Sequence, residues 1–382
     1  MSLSTHHLYV HVPFCRLVCA YCDFVTVGGR GADIASYPDL LLAELAMRPA
    51  SGHLATIYFG GGTPSLLPAD RVARVVGAAI DRWGNAPTEV TLEANPSSRE
   101  TPDWAGLRVA GVNRISLGIQ SLRDAQLQML ARGQTADEGL AAYAAVRAAG
   151  FENVSIDLIY GIPGQSRADW REGLNLVLAL APEHLSLYAL QLALAPDEWA
   201  APPRPGALRW RKRMVPRQDD GLAAAQYELA EEVLDAAGFE HYELSSWARP
   251  GFESRHNSAY WERRPYTGIG AGAHSFDGRS RSWNERDLDA YMARTKAGER
   301  AMADSEQLDE PTRAFEAIAL GLRRVTGLSR AAFANEFGTD PVERFAAAIG
   351  EGADLLEVDH DRIRLTTRGR LFANEALVGF AP

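Results

Sequence analysis

The sequence predicts an α/β fold of parallel strands joined by crossover helices, either a doubly wound sheet or a partial barrel, with a smaller α+β, helix-rich domain at the C-terminus. Three observations predict it. Short β-like runs alternate with amphipathic stretches through the first half of the chain. Polar residues collect at the carboxyl ends of those runs, where parallel α/β folds gather their ligands. After about residue 192 the alternation stops and the composition changes.

The β-like runs are "HLYVHVP" from His7, "TIYFGGG" from Thr56, "EVTLEAN" from Glu89, "RISLGIQ" from Arg114, "NVSIDLIYGIP" from Asn153 and "HLSLYAL" from His184. Between them lie "YPDLLLAELAMR", "ADRVARVVGAAIDRWG" and "DEGLAAYAAVRAAG", with apolar residues near helical spacing. Six β–α alternations at intervals of about 25 to 50 residues fit crossover units with parallel strands. The cysteines follow the first run, and Gly60, Gly61, Gly62 and Thr63 end the second. Glu93 and Asn95 end the third, Gln120 ends the fourth, Asp157 lies in the fifth, and Gln191 follows the sixth. One composite site is expected there.

The proline-rich "LALAPDEWAAPPRPGALRW" reads as a loop or boundary. A helix, "DDGLAAAQYELAEEVLDAAG", leads into a segment dense in aromatics and glycines, and a helix-rich tail follows from Asp304. The tail ends in a short β pair and a helix, as in small winged-helix modules. The expected division is 1–240 for the barrel with its site, 241–303 for the aromatic and glycine-rich segment, and 304–382 for the winged-helix-like domain. There is no internal repeat or low-complexity segment.

With 46% hydrophobic and 23% charged residues in 382, the chain can bury a large core. A net charge of -10 argues against a nucleic-acid partner. The start lacks a basic segment followed by an apolar one, and no apolar run approaches a membrane span. With only three cysteines, a reducing cytoplasm is the expected location. Attachment to a membrane through a protein partner, and a homodimer, both stay open.

All three cysteines, Cys15, Cys19 and Cys22, lie within "VPFCRLVCAYCDF". An odd count leaves a thiol over in any disulfide scheme, and C-x3-C-x2-C from one loop suits a soft metal centre. Zinc wants four tetrahedral ligands, and His11 is too near in its strand to be an obvious fourth. A 4Fe–4S cluster held by three thiolates leaves one iron open to a substrate or cofactor.

This cysteine loop, with Tyr21 before its last cysteine and a GGGTP strand end after it, resembles the radical S-adenosylmethionine superfamily. There the amino and carboxylate groups of S-adenosylmethionine chelate the open iron, and the reduced cluster cleaves the sulfonium to a 5′-deoxyadenosyl radical. "YVHVPFC", "YFGGGTPSLL", "LEANP", "RISLGIQS", "DLIYGIPGQS" and "RHNSAYW" together resemble the coproporphyrinogen-oxidase-like branch, and within it the HemW-type heme chaperones. The resemblance implies a partial (β/α)6 barrel. It implies that Tyr9 and Tyr21 flank the cluster and S-adenosylmethionine, and that Gly61, Gly62 and Thr63 hold the methionine end. Glu93, Gln120, Arg132 and Asp157 would contact the rest of that cofactor, with carboxylates suited to ribose hydroxyls. The family usually shows Arg-x-His where this chain has Arg132-Gly133-Gln134, so no histidine role carries over.

Two classes of function follow from the resemblance. The first is a chaperone that binds heme and passes it to recipient hemoproteins. The alternative is an oxygen-independent coproporphyrinogen III oxidase, or another radical enzyme acting on a small molecule. Oxidases of that type carry a further cysteine two positions after the third, where this chain has Phe24, and an extension before the first strand, where only eight residues precede Tyr9. Decarboxylation of coproporphyrinogen is not expected, and cleavage of S-adenosylmethionine stays open. "HNSAYW", His256 to Trp261, matches the motif tied to heme binding, with His256 as axial ligand and the aromatics packing on the macrocycle. In "GIGAGAHS" His274 is the second candidate, on a tight turn returning to the site.

Overall fold

The computed structural model describes residues 5–97, 100–192 and 205–381; most of the proline-rich loop expected from residue 192 lies outside them. Six strands carry the expected alternation: β1 Thr5–Val12, β2 His53–Gly61, β3 Glu89–Ala94, β4 Arg114–Gln120, β5 Val154–Tyr160 and β6 His184–Ala189. All five pairings between successive members are parallel. Helices α1 Tyr37–Met47, α2 Ala69–Trp83, α3 Trp104–Val109, α4 Ala136–Ala148 and α5 Arg167–Ala179 make the crossovers.

The later strands enlarge this sheet. They are β7 Glu240–Glu243, β8 Ser246–Ala248, β9 Tyr266–Ile269, β10 His274–Phe276, β11 Ser280–Asn284 and β12 Met302–Gln307. The twelve-stranded order is β12-β11-β10-β9-β1-β2-β3-β4-β5-β6-β8-β7. β9 runs parallel to β1, with Tyr9 opposite Gly268, and β10 to β12 continue antiparallel. Between them are helices α6 Asp220–Ala236 and α7 Arg255–Trp261.

The two faces of the parallel strands differ because side chains alternate along a strand. Leu8, Val10 and Val12 of β1, with Ile57, Phe59, Leu92, Ile115, Leu117 and Ile156, are buried completely on one face. Crossover helices cover it: Val72, Val75, Val76 and Ala79 of α2 follow helical spacing and are buried. Each such Leu or Val side chain contributes about 1.5–3 kcal/mol. The opposite face carries His7, Tyr9, His11, Thr56, Tyr58, Thr91, Glu93, Ser116, Ser155 and Asp157. Buried polar groups require partners. Thr56 Oγ1 meets Nδ1 of His7 at 2.8 Å, and Ser155 Oγ meets Nδ1 of His184 at 2.8 Å.

A second apolar cluster, including Ile318, Phe333, Leu356, Ile363 and Phe380, surrounds a three-stranded antiparallel sheet near the C-terminus. Its strand pair Leu356–Val358 and Arg362–Leu365 precedes short helices at Thr367–Leu371 and Ala373–Leu377. Among the described residues, no helix is long and apolar enough to cross a membrane.

Candidate functional site

The carboxyl ends of β2 to β6 and the cysteine loop enclose a cavity of about 310 Å³. Cys15, Cys19 and Cys22 all line it. The loop is closed at its base by parallel pairing of Phe14–Cys15 with Val27–Gly28, and the Cys22 N–H donates to the Cys19 carbonyl at 3.2 Å. Two arginines hold the loop from outside it. Arg132 Nη1 donates to Cys19 Sγ at 3.3 Å and to the Tyr21 hydroxyl at 3.4 Å. Its Nη2 donates to Asn95 Oδ1, to the Gly118 carbonyl at 2.8 Å and to Gln134 Oε1 at 2.8 Å. Gln134 in turn donates to the Ile119 carbonyl at 2.8 Å, so the residue that departs from the family pattern braces Arg132 against β4.

The second arginine, Arg211, escaped the sequence reading. It lies in the helix Pro205–Met214, is buried, and donates to the carbonyls of Ala20 at 3.3 Å and Tyr21 at 3.1 Å, and to the Asp23 carboxylate. Its signal was the basic run "RWRKR", which is more often a solvated helix face.

Burial governs the electrostatics. The Cys15 thiol is pushed up to about 12 by burial, against a hydrogen bond from Thr63 Oγ1 at 3.6 Å that lowers it. Burial raises Cys22 as well. Glu93 is pushed up to about 7, first by burial and then by Asp157, although it accepts from the Tyr58 hydroxyl at 2.7 Å and the Gly61 N–H at 3.0 Å. Asp157 is also raised by burial, offset by bonds from Ser116 at 3.0 Å and Ser155 at 3.0 Å. Gln120 adopts φ 68°, a left-handed conformation that costs a residue with a side chain about 1–3 kcal/mol.

The glycines meet a packing demand of the chain itself. Gly61 has φ 112°, and a Cβ there would lie 2.4 Å from the His11 ring. A Cβ on Gly62 would lie 2.6 Å from the Phe14 carbonyl oxygen. Only glycine lets β2 pass this close under the root of the cysteine loop.

Of the residues singled out from sequence, the three cysteines, Tyr21, Gly61, Gly62, Thr63, Glu93, Gln120, Arg132 and Asp157 all line the cavity. Tyr9 and His256 are placed elsewhere. Tyr9 stands behind the cavity wall, stacked on Tyr58 and bonded through its hydroxyl to His11 Nδ1 at 3.1 Å. His256, expected as the axial heme ligand, is 1% exposed. Its Nδ1 pairs with Thr56 Oγ1 at 2.6 Å and its Nε2 with the Tyr260 hydroxyl at 3.0 Å, so as it stands neither nitrogen is open to iron. Burial holds the ring neutral.

The donor set fits a 4Fe–4S cluster with S-adenosylmethionine. Among the described residues, no three His, Cys, Asp or Glu side chains gather as a single metal ion would require. Instead three thiols face a cavity whose far wall carries two carboxylates, and Arg132 donates to the Cys19 sulfur.

A family model described as the radical SAM superfamily matches residues 9–177, and one described as the HemN C-terminal domain matches residues 308–372. The chain is 37% identical over 376 residues to a heme chaperone HemW of Mycobacterium tuberculosis, covering 96% of this chain and 92% of that one. It is 34% identical to the heme chaperone HemW of Lactococcus lactis, covering 100% of this chain and 98% of that one. The fold resembles coproporphyrinogen III oxidase (HemN) from Escherichia coli, with a TM-score of 0.82 over 99% of this chain and 90% of that one at 22% identity. That likeness is one of fold, and the identities carry the finer assignment: the chain belongs to the HemW family of radical SAM proteins.

Proposed function

We propose that this chain is a heme chaperone, which binds heme and delivers it to hemoproteins while carrying a 4Fe–4S cluster and S-adenosylmethionine under its cysteine loop. The observation that carries the proposal is one cavity shared by three thiols and two buried carboxylates, in a chain alike over its whole length to proteins named heme chaperones. Cys15, Cys19 and Cys22 would hold the cluster, with one iron left to S-adenosylmethionine. When bound, the pair supplies one-electron reduction and radical chemistry.

The chain's own residues prepare the site. Thr63 donates to Cys15, which opposes the burial that pushes that thiol up, and Arg132 donates to the Cys19 sulfur. Glu93 and Asp157 offer acceptors for ribose hydroxyls. Arg211 holds the carbonyls of Ala20, Tyr21 and Cys22 and the Asp23 carboxylate, which fixes the end of the loop that carries Cys19 and Cys22. Delivery to a recipient is a contact between proteins, in the cytoplasm or at a membrane face reached through a partner.

One feature speaks against the oxidase: Phe24 stands where those enzymes carry a further cysteine. Anaerobically reconstituted protein should bind ferric protoporphyrin IX and leave coproporphyrinogen III unchanged with reductant and S-adenosylmethionine present. Cys19→Ala should lose iron and sulfide yet keep part of the heme binding. Conversion of coproporphyrinogen III above a no-protein control would overturn the proposal in favour of the oxidase.

A further inference from the structure

The antiparallel flank of the sheet carries a second constellation. His274 and Phe276 alternate to one face of β10, and their cross-strand partners on β11 are Trp283 and Arg281. Tyr266 of β9 lies opposite Phe276. Tyr260 reaches in from α7 and meets the Tyr266 ring edge to face at 4.7 Å. Two adjoining clefts share Tyr260 and Tyr266 in their walls, one of about 340 Å³ and one of about 210 Å³. Together they fall within the range of small-molecule sites, about 300–1,000 Å³.

His274 differs from His256 in exposure and in hydrogen-bond partners, the two properties that leave a nitrogen open to a ligand. It is half-buried, lies against Trp283 at 5.7 Å between ring centroids, and lines the smaller cleft. Among the described residues neither of its nitrogens has a hydrogen-bond partner. Burial lowers its pKa, with Arg286 and Arg281 adding, so the ring is neutral and keeps a lone pair for a metal. The rims are basic: Arg286 lines the smaller cleft, and Arg263, Arg264 and Arg281 line the larger. Arg281 is paired with Glu316 at 2.8 Å and Glu306 at 3.3 Å, Arg263 with Glu336 at 3.0 Å, and Arg264 with Glu262 at 3.2 Å. Glu316 is the only carboxylate among these that also lines a cleft wall.

Resting on the chaperone assignment, we propose that heme binds in this double cleft with His274 as its iron ligand, its ring packed against the Tyr260–Tyr266 pair, face-on to one and edge-on to the other, and its propionates toward the arginines. Aromatic faces suit a macrocycle, guanidinium groups suit carboxylates, and an imidazole nitrogen suits iron. The role of His256 is then positioning: it holds the Tyr260 hydroxyl at 3.0 Å and so sets a wall of both clefts. Phe24 of the cysteine loop lines the smaller cleft and the thiol cavity alike, so the two sites share a wall.

The test titrates ferric protoporphyrin IX into the full chain and into His274→Ala, His274→Met and His256→Gln, with thermal melts as a check on folding. His274→Ala should weaken binding by about tenfold or more and lose the imidazole-ligated Soret band. Added imidazole should restore that band, and His274→Met should shift it. His256→Gln should keep the parental band even where affinity drops. A folded His274→Ala with an unchanged spectrum, or loss of the band in a folded His256→Gln alone, would overturn the assignment of the ligand. A parent that binds no heme would instead overturn the chaperone proposal, and this inference with it.

Discussion

Replacing Glu93 by Gln measures how hard the cavity works against a charge on its wall. Glu93 is pushed from 4.5 to about 7, by burial first and Asp157 next, with the Tyr58 hydroxyl and the Gly61 N–H opposing. A carboxyl raised in the folded state holds its proton more tightly there than in the unfolded chain. Its contribution to stability is therefore fully present below about 4.5 and is lost as pH rises through about 7. Converted at 1.36 kcal/mol per unit, the loss across that window is about 3 kcal/mol. Gln does not titrate and keeps only one of the two accepted bonds, a pH-independent offset of about 1–3 kcal/mol. The slope is thus the diagnostic quantity. Urea unfolding of the cluster-free chain and of Glu93→Gln, from about pH 4.5 to about pH 8, should show the parent losing about 3 kcal/mol more than the variant. Asp157→Asn should shift the upper edge of the window downward, because Asp157 helps to raise it. Parallel curves for parent and Glu93→Gln would refute the reasoning. In the loaded protein the same change should weaken S-adenosylmethionine by about 1–3 kcal/mol if the carboxylate meets ribose hydroxyls.

Glu44→Ala should cost about 3–5 kcal/mol in chemical denaturation, since it strands the buried Arg48 guanidinium now 2.6 Å away, together with the Gly270 N–H and the Tyr291 hydroxyl. Pairing it with Arg48→Leu should recover a large part, and no recovery would mean the charge pair is not the source. Gly62→Ala places a methyl 2.6 Å from the Phe14 carbonyl oxygen, so the root of the cysteine loop must shift. Anaerobic reconstitution should then incorporate far less iron and sulfide than the parent, and full incorporation would show that the loop tolerates the displacement.

How much of this was legible in the sequence depends on which interactions are local. "HLYVHV" shows an apolar and a polar face by inspection, and every strand of the parallel sheet repeats the pattern with its polar residues toward the site. The cysteine spacing and the strand-end carboxylates were therefore readable as one cavity. "RGQT" and "PGQS" were readable as motifs, but the structure divides their labour: Thr135 and Ser166 are helix caps, each accepting from the N–H three residues on. Arg211 was hidden because its partners lie about 190 residues earlier, and no periodicity records such a contact.

His256 is the instructive case. A histidine beside Tyr and Trp in a short helix is the pattern of a heme ligand and equally that of a buried hydrogen-bond relay. What separates the two is whether both nitrogens are taken. Tyr260, four residues on, was a readable partner for one of them. The other is taken by Thr56, two hundred residues earlier and on the polar face of β2. That face must find partners for the polar side chains it buries, and it satisfies several through Thr56 with His7 and His256, and through Ser155 with Asp157 and His184, while Thr91 Oγ1 has none. A histidine drawn into such a network is locked in place. His274, at the open flank where the network ends, keeps the freedom a ligand needs.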